Sequence, residues 1–166
     1  MSYVRAIYFD FQFCCRDFIR GVEYLEQCVI DEAANCFLQA SLRTDESDAY
    51  YYKYQSYYGL ASLLSGDLEA IHICRKAASI APVDADVALN LVRAEAFREN
   101  RSEALRVLTK ALKFHSRHEG LLAMQQKLGV RGRKVLPILP RNNSVNVVLG
   151  KWLRRKNSIG WFFNML

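Results

Sequence analysis

Three parts of the chain repeat one spacing of small and larger apolar residues. Each set has a small residue, a larger apolar residue four positions later and a small residue three positions after that. The sets are Ala33, Phe37, Ala40; Ala70, Cys74, Ala77; and Ala104, Leu108, Ala111. Positions four and three apart share one face of an α-helix, and small residues there allow a second helix to approach closely. The pattern therefore predicts three helices, each packed against a neighbour.

A helical segment precedes each of these helices, so the chain is predicted to form three helix hairpins. The preceding segments are residues 14–27, 48–64 and 84–97. Asp31 and Asp84 are candidate N-caps, and Gly66 and Asn100 are candidate turn residues inside the second and third hairpins. Residues 44–48 predict an enlarged loop. Residues 119–128, followed by Gly129, predict one more helix that covers the apolar end of the array.

The three sets recur at a nearly constant distance. Ala70 follows Ala33 by 37 positions, and Ala104 follows Ala70 by 34 positions. A period of about 34 residues with this signature is typical of tetratricopeptide repeats. Residues 14–45, 51–82 and 85–116 resemble these repeats. Further matching residues are Gly21, Gly59, Gly66 and Pro82.

The sequence also departs from the repeat family. The family's early tryptophan is absent, and Val92 replaces a small residue in the third repeat. The stretch from Gly66 to Ala70 is one residue shorter than usual. The register of the first helix in the second hairpin is therefore open by one residue.

The resemblance implies an all-α, tetratricopeptide-type superhelix of three hairpins plus a capping helix, followed by a partly extended C-terminal tail. In this family the first helix of each hairpin lines a concave groove, which binds a peptide segment or a helix of another protein. The resemblance places these residues in the groove: Cys15, Phe18, Val22, Leu25, Lys53, Ser56, Leu60, Leu63, Asp86, Leu89, Asn90, Arg93 and Ala96. The family's clamp for a terminal carboxylate needs more cations than Lys53 and Arg93, so chaperone-tail binding is not expected.

Six of the nine tyrosines lie between Tyr50 and Tyr58. They suit either a platform that stacks bases or prolines, or the core between the first two hairpins. Because one helix cannot bury all its faces, we expect about half of them in the core and the rest in the groove.

Charge divides the chain more sharply than its net value of +6 indicates. Residues 129–166 contain eight Lys and Arg residues and no acidic residue, whereas residues 1–128 contain 15 Lys and Arg and 17 Asp and Glu. The expected organisation is an apolar lead-in over residues 1–13, an array with its capping helix over residues 14–128, and a basic tail over residues 129–166.

The tail combines these cations with apolar residues. Pro137 and Pro140 favour an extended backbone, and residues 145–156 suit a short amphipathic helix. The candidate association residues are Arg131, Arg133, Lys134, Arg141, Trp152, Arg154, Arg155 and Lys156. Three interpretations stay open: an anionic membrane surface, a nucleic-acid backbone, or packing onto the repeats or onto a second copy of the chain. Nucleic acid is the least favoured of these partners.

Composition and motifs point away from catalysis and metal binding. The five cysteines contain no CxxC pair and their number is odd, which favours a reducing compartment over a disulfide framework or a zinc cluster. His115 and His118 are one helical turn apart, but no carboxylate or cysteine stands at ligand spacing with them. No secretory leader and no run of about 18 apolar residues is visible. We therefore expect a cytoplasmic protein-interaction module, an adaptor, scaffold or small chaperone, that is not an enzyme and needs no cofactor or metal.

Overall fold

The computed structural model describes residues 15–129, and every regular element in this range is helical. The helices are α1 Arg16–Glu26, α2 Ile30–Leu42, α3 Tyr51–Leu64, α4 Ile71–Ile80, α5 Ala85–Phe97, α6 Arg101–Phe114 and α7 Glu119–Gly129. A 3-10 turn, Leu68–Ala70, leads directly into α4. The prediction of an all-α fold is confirmed for these residues. The predictions for residues 1–14 and 130–166 lie outside the described residues.

The first six helices pack as three consecutive pairs. Helix α1 packs on α2, α3 on α4, and α5 on α6. The connections within the pairs are short: residues 27–29, residues 65–67 before the 3-10 turn, and residues 98–100. Such short connections cannot run back along a helix about 16 Å long, so the helices of each pair are antiparallel. Helix α7 then packs on α5 and α6, in the place predicted for a covering helix.

The three turns inside the hairpins have one backbone geometry. Cys28, Gly66 and Glu99 all have positive φ, at 61°, 112° and 60°. In each turn the next residue donates its N–H to the carbonyl five residues earlier: Val29 to Tyr24, Asp67 to Ser62, and Asn100 to Glu95. This bond with a left-handed residue is the Schellman motif, which satisfies the last carbonyls of a helix. The predicted turn residue Asn100 was off by one, because Glu99 takes the left-handed position.

Asp67 caps the 3-10 turn and Asp84 caps α5, each through its side chain. Asp84 Oδ1 accepts hydrogen bonds from Asp86 N and Val87 N at 2.8 and 3.0 Å, which confirms its prediction as an N-cap. The prediction for Asp31 is wrong. Helix α2 begins at Ile30, directly after the turn at Cys28, so Asp31 lies within the first helical turn. Its carboxylate accepts a hydrogen bond from Ser65 Oγ at 2.7 Å instead.

Close helix approaches settle the register of the second hairpin. A Cβ added to Gly59 would lie 2.9 Å from Cys74 Sγ, and one added to Gly21 would lie 2.6 Å from the Phe37 ring. Gly59 is therefore the equivalent of Gly21, at the contact between the two helices of its pair. Between Gly66 and α4 the chain forms the 3-10 turn Leu68–Ala70, which has three residues per turn.

The enlarged loop predicted between the first and second hairpins is confirmed as residues 43–50. Its turns are closed by its own side chains, since Asp45 Oδ1 accepts from Ser47 N at 3.1 Å and Asp48 Oδ1 accepts from Tyr50 N at 2.7 Å. Residues 45–49 are exposed. Helices α2 and α3 pack directly on each other beside this loop, so it is not needed to hold them together.

The core follows the chain as three successive clusters. The first joins α1, α2 and α3 around Phe18, Phe37, Tyr54 and Tyr57. The second joins α3, α4 and α5 through Leu60, Leu63, Ile71, Cys74 and Leu91. The third joins α5, α6 and α7 through Leu89, Val92, Leu108, Leu121 and Met124. None of the helices within residues 15–129 is long and apolar enough to cross a membrane.

Candidate functional site: a polar seam between α3, α5 and α7

Two rows of side chains face each other across α3 and α5. Residues 53, 56, 60 and 63 share one face of α3, and residues 86, 90, 93 and 97 share one face of α5, because both sets follow three- and four-residue steps. Lys53 Nζ lies 3.1 Å from Asp86 Oδ2, and Asn90 Nδ2 donates to Ser56 Oγ at 3.1 Å. His118, the residue just before α7, adds its ring, whose Nε2 lies 3.7 Å from Asp86 Oδ1. We call this set the polar seam: Lys53, Ser56, Asp86, Asn90, Arg93, His118 and Lys127.

Asp86 is the anionic centre of one end of the seam. Burial alone would raise the pKa of this carboxyl group, but hydrogen bonding to His118 and the charge of Lys53 outweigh burial and lower the pKa below its ordinary value. Lys53 also lies 3.8 Å from Asp84 Oδ2. The carboxylate therefore stays ionised at neutral pH and links α5 to both α3 and α7.

The middle of the seam contains a buried acceptor that the described residues do not satisfy. Ser56 and Asn90 are both 0% exposed. Ser56 Oγ donates its single hydrogen to Lys53 O at 2.8 Å, so Asn90 must present its NH2 group to Ser56. The amide oxygen Oδ1 of Asn90 then has no hydrogen-bond partner among the described residues. A buried unsatisfied polar group of this kind costs about 1–3 kcal/mol.

The other end of the seam is cationic. Arg93 is only 5% exposed and lies near Lys127 of α7. Burial, and then the positive charge of Arg93, lower the pKa of Lys127. Two neighbouring cations repel each other, which disfavours the charged form of Lys127.

The structure separates the predicted groove residues into two groups. Lys53, Ser56, Asn90 and Arg93 come together in the polar seam, together with Asp86. The apolar members lie in the three core clusters: Phe18, Val22 and Leu25 in the first, Leu60 and Leu63 in the second, and Leu89 in the third. These six side chains are at most 5% exposed.

Phe18 illustrates the reason for this difference. Its ring centroid lies 4.8 Å from that of Tyr54, 5.0 Å from Tyr57 and 5.6 Å from Phe37. One of these neighbours lies on α2 and two lie on α3, where they belong to the tyrosine run. Of the remaining tyrosines of this run, Tyr50 and Tyr58 pack against the same cluster. The rings of Tyr51 and Tyr52 contact each other, with centroids 5.1 Å apart.

Sequence reasoning missed two members of the seam. From the sequence, His118 was considered only as a possible metal ligand with His115, and Lys127 was not singled out. His118 follows Asp86 by 32 positions, and only the packing of α7 on α5 brings them together. Its Nε2 faces the Asp86 carboxylate, and its Nδ1 accepts a hydrogen bond from Leu121 N at 3.4 Å. His115 Nε2 contacts Val83 O at 2.5 Å, and His72 pairs with Glu69 at 3.3 Å.

The predicted tail residues, from Arg131 to Lys156, lie outside the described residues. Among residues 15–129, no group of three His, Cys, Asp or Glu side chains is arranged to hold a metal ion. Comparison of the sequence with protein-family models and with curated proteins finds no match.

Proposed function

We propose that the chain is a tetratricopeptide-type array that acts as a non-catalytic protein-interaction module. Three features support the resemblance: three consecutive hairpins, a covering helix, and turns that repeat one geometry at Cys28, Gly66 and Glu99. The close contacts of Gly21 and Gly59 with the second helix of their hairpins support it further. The polar seam would then lie along the concave groove formed by the first helices.

The main support for a binding role is the amide oxygen Oδ1 of Asn90, which has no hydrogen-bond partner among the described residues. A buried acceptor in the middle of the seam favours a ligand that brings an N–H group to it. The N–H groups of a helix are used within the helix itself, whereas an extended peptide has backbone N–H groups to donate. Of the two partner types predicted from the sequence, the seam therefore favours an extended peptide segment over a helix.

At one end of the seam the Asp86 carboxylate is already paired with Lys53 and His118. We therefore propose an extended segment that binds through its backbone N–H groups near Asn90. Binding of the basic tail to a membrane or nucleic acid stays a prediction from the sequence, as does a cytoplasmic location.

The test compares Asn90→Leu with Asn35→Leu, a matched change at an exposed position of α2. Asn90→Leu removes the unsatisfied acceptor from the fold, so the folded state should keep or gain stability, while partner binding should weaken about tenfold or more because one buried hydrogen bond is lost. Wild type and both variants are used to capture partners from the source cell, and the recovered partner is titrated against each. Equal affinity of all three forms would refute the proposal.

A further inference from the structure

Exposed apolar side chains meet at one edge of the second and third hairpins. Ile80 and Phe114 are the last residues of α4 and α6, and they are 48% and 60% exposed. Val83, also 60% exposed, lies in the connection from α4 to α5. His115, which follows Phe114 directly, contacts Val83 O through its Nε2, so the two connections touch each other. The three apolar side chains therefore belong to one patch.

A cation precedes each of the two helix-terminal apolar residues by about one turn. Lys76 lies four positions before Ile80, and Lys110 lies four positions before Phe114, so each pair shares one face of its helix. Both lysines are exposed. The first hairpin has a glutamine and an arginine at the equivalent positions of α2. Only the second and third hairpins thus repeat this pairing of a cation with an apolar residue.

The charge of this edge has one sign. Residues 70–83 and 104–118 contain six Lys and Arg residues and no acidic residue. Two of the six, Arg75 and Arg106, are paired with glutamates of the array. The other four are exposed and form no ion pair with a carboxylate of residues 15–129: Lys76, Lys110, Lys113 and Arg117.

Two acidic residues follow these segments in the chain. Asp84 accepts hydrogen bonds from the first N–H groups of α5 and lies 3.8 Å from Lys53 Nζ, so its charge already has partners. Glu119 is exposed at the start of α7. One exposed carboxylate does not balance four exposed cations, so positive charge remains in excess. We call the following set the basic edge: Lys76, Ile80, Val83, Lys110, Lys113 and Phe114.

The apolar members decide which anionic partner suits this edge. Phosphates of a nucleic acid would attract the cations, but bases bind by stacking on rings, and Ile80 and Val83 have none. A lipid surface offers anionic headgroups and, directly below them, an apolar layer that accepts side chains of any shape. Ile80, Val83 and Phe114 lie at helix ends and in a connection, from which side chains can enter that layer without burying a helix.

We propose that the basic edge binds an anionic membrane surface, with its three apolar side chains inserted among the headgroups and its lysines beside the lipid anions. The edge is formed by the second helices of two hairpins and by their connections. It shares no residue with the polar seam, so this site is additional to the proposed function and does not depend on it.

The charge of the edge is tested on the full chain by sedimentation with vesicles of phosphatidylcholine and phosphatidylserine in a two-to-one ratio. Pure phosphatidylcholine vesicles are the uncharged comparison. Lys110→Glu combined with Lys113→Glu should lower the affinity for the anionic vesicles at least about tenfold. Arg16→Glu combined with Arg20→Glu, at exposed positions of α1, changes the net charge equally and should bind nearly as well as wild type.

The apolar part is tested by Phe114→Ser, which should weaken binding about fivefold because an inserted side chain is lost. Leu42→Ser is the matched control, since Leu42 is 70% exposed at the end of α2, outside the basic edge. Far-UV circular dichroism checks the helices of every variant. If the double glutamate variant does not fold, the neutral pair Lys76→Gln and Lys110→Gln replaces it, with the same expected direction.

Three results would overturn the proposal. The first is a wild type that does not bind the anionic vesicles. The second is an equal loss in the edge variants and their controls, or no loss in any of them, which would assign binding to net charge or to the basic tail. The third is binding to a mixed-sequence RNA that needs the lysines but not Phe114, which would assign the edge to nucleic acid. Asn90→Leu should bind vesicles like wild type, so this proposal and the proposed function can fail separately.

Discussion

At the scale of single residues, Asp86 joins three helices through one carboxylate. It lies on α5, and its two oxygens face Lys53 of α3 and His118 at the start of α7. The side chain of Lys53 is only 11% exposed. A nearby anion is therefore needed to stabilise its charged ammonium group, whereas water does this for a surface lysine. Asp84 Oδ2 lies 3.8 Å from Lys53 Nζ and would remain beside it if Asp86 were replaced.

We expect Asp86 to make the fold sensitive to acid. A group whose pKa is lower in the folded than in the unfolded state stabilises the fold above its unfolded pKa, and that stability is lost as pH falls through the folded pKa. Burial is outweighed by His118 and Lys53, so the pKa of Asp86 lies below its ordinary value of 3.8. The free energy of unfolding should therefore decline as pH falls below that value, as measured by urea denaturation.

The variant Asp86→Asn should lose about 1–3 kcal/mol of stability at neutral pH, since the hydrogen bonds to charged partners are weakened. Its stability should also fall less steeply with acid than that of the wild type. Asp45→Asn, in the exposed loop, serves as the control and should keep the wild-type profile. An unchanged acid dependence in Asp86→Asn would contradict the role given to this carboxylate.

Residue positions within one helix were predictable, whereas partners from distant helices were not. The steps of three and four residues place Lys53 and Ser56 on one face of α3, and Asn90 and Arg93 on one face of α5. The sequence also predicted Phe18 in the groove. The structure packs the Phe18 ring against Tyr54 and Tyr57 of α3, which are large enough to contact it from the next hairpin. Residue spacing within α1 contains no information on contacts with another helix.

At the scale of elements, the three Schellman turns are alike in backbone but not in residue type. Gly66 has the residue that a positive φ favours, whereas Cys28 and Glu99 have a Cβ that a left-handed backbone disfavours by about 1–2 kcal/mol. The sequence indicated such a turn only where a glycine or an asparagine followed a helix. The position of Glu99 could therefore not be predicted, and Asn100 beside it was taken in its place.

Glu99→Gly should stabilise the protein by up to about 1 kcal/mol, because it relieves the left-handed strain and loses part of that gain to the greater freedom of the unfolded chain. Gly66→Ala should have the opposite sign, although no atom lies within 4 Å of the added Cβ. Thermal and urea unfolding of both variants measure the effect. Stabilisation by both changes, or by neither, would argue against backbone strain as the cause.

At the scale of the whole molecule, the core is a row of clusters rather than one centre. The first and third clusters share no residue, and α1 and α7 each pack only near their own end of the row. In such an array, stability is approximately the sum of local units and of the interfaces between neighbours. A defect at one end should therefore loosen that end first.

Leu121→Ala tests this directly. Leu121 is 0% exposed and belongs to the third cluster, so its truncation should cost about 2–5 kcal/mol. Native-state hydrogen exchange should accelerate most in α5, α6 and α7 and least in α1 and α2. Leu122→Ala, at the neighbouring exposed position, is the control. Uniform acceleration along the chain would show that the helices unfold as one unit.

The loop of residues 43–50 is a site at which the chain can be split into two fragments. Its residues 45–49 are exposed, its turns are closed by its own aspartates, and α2 and α3 contact each other without it. Exposed polar loops of this kind accept new chain ends. Two separately produced fragments, cut within the loop, should therefore reassemble through the aromatic cluster of Phe18, Phe37, Tyr54 and Tyr57. The first hairpin can thus be isotope-labelled, or exchanged for another, without resynthesis of the rest.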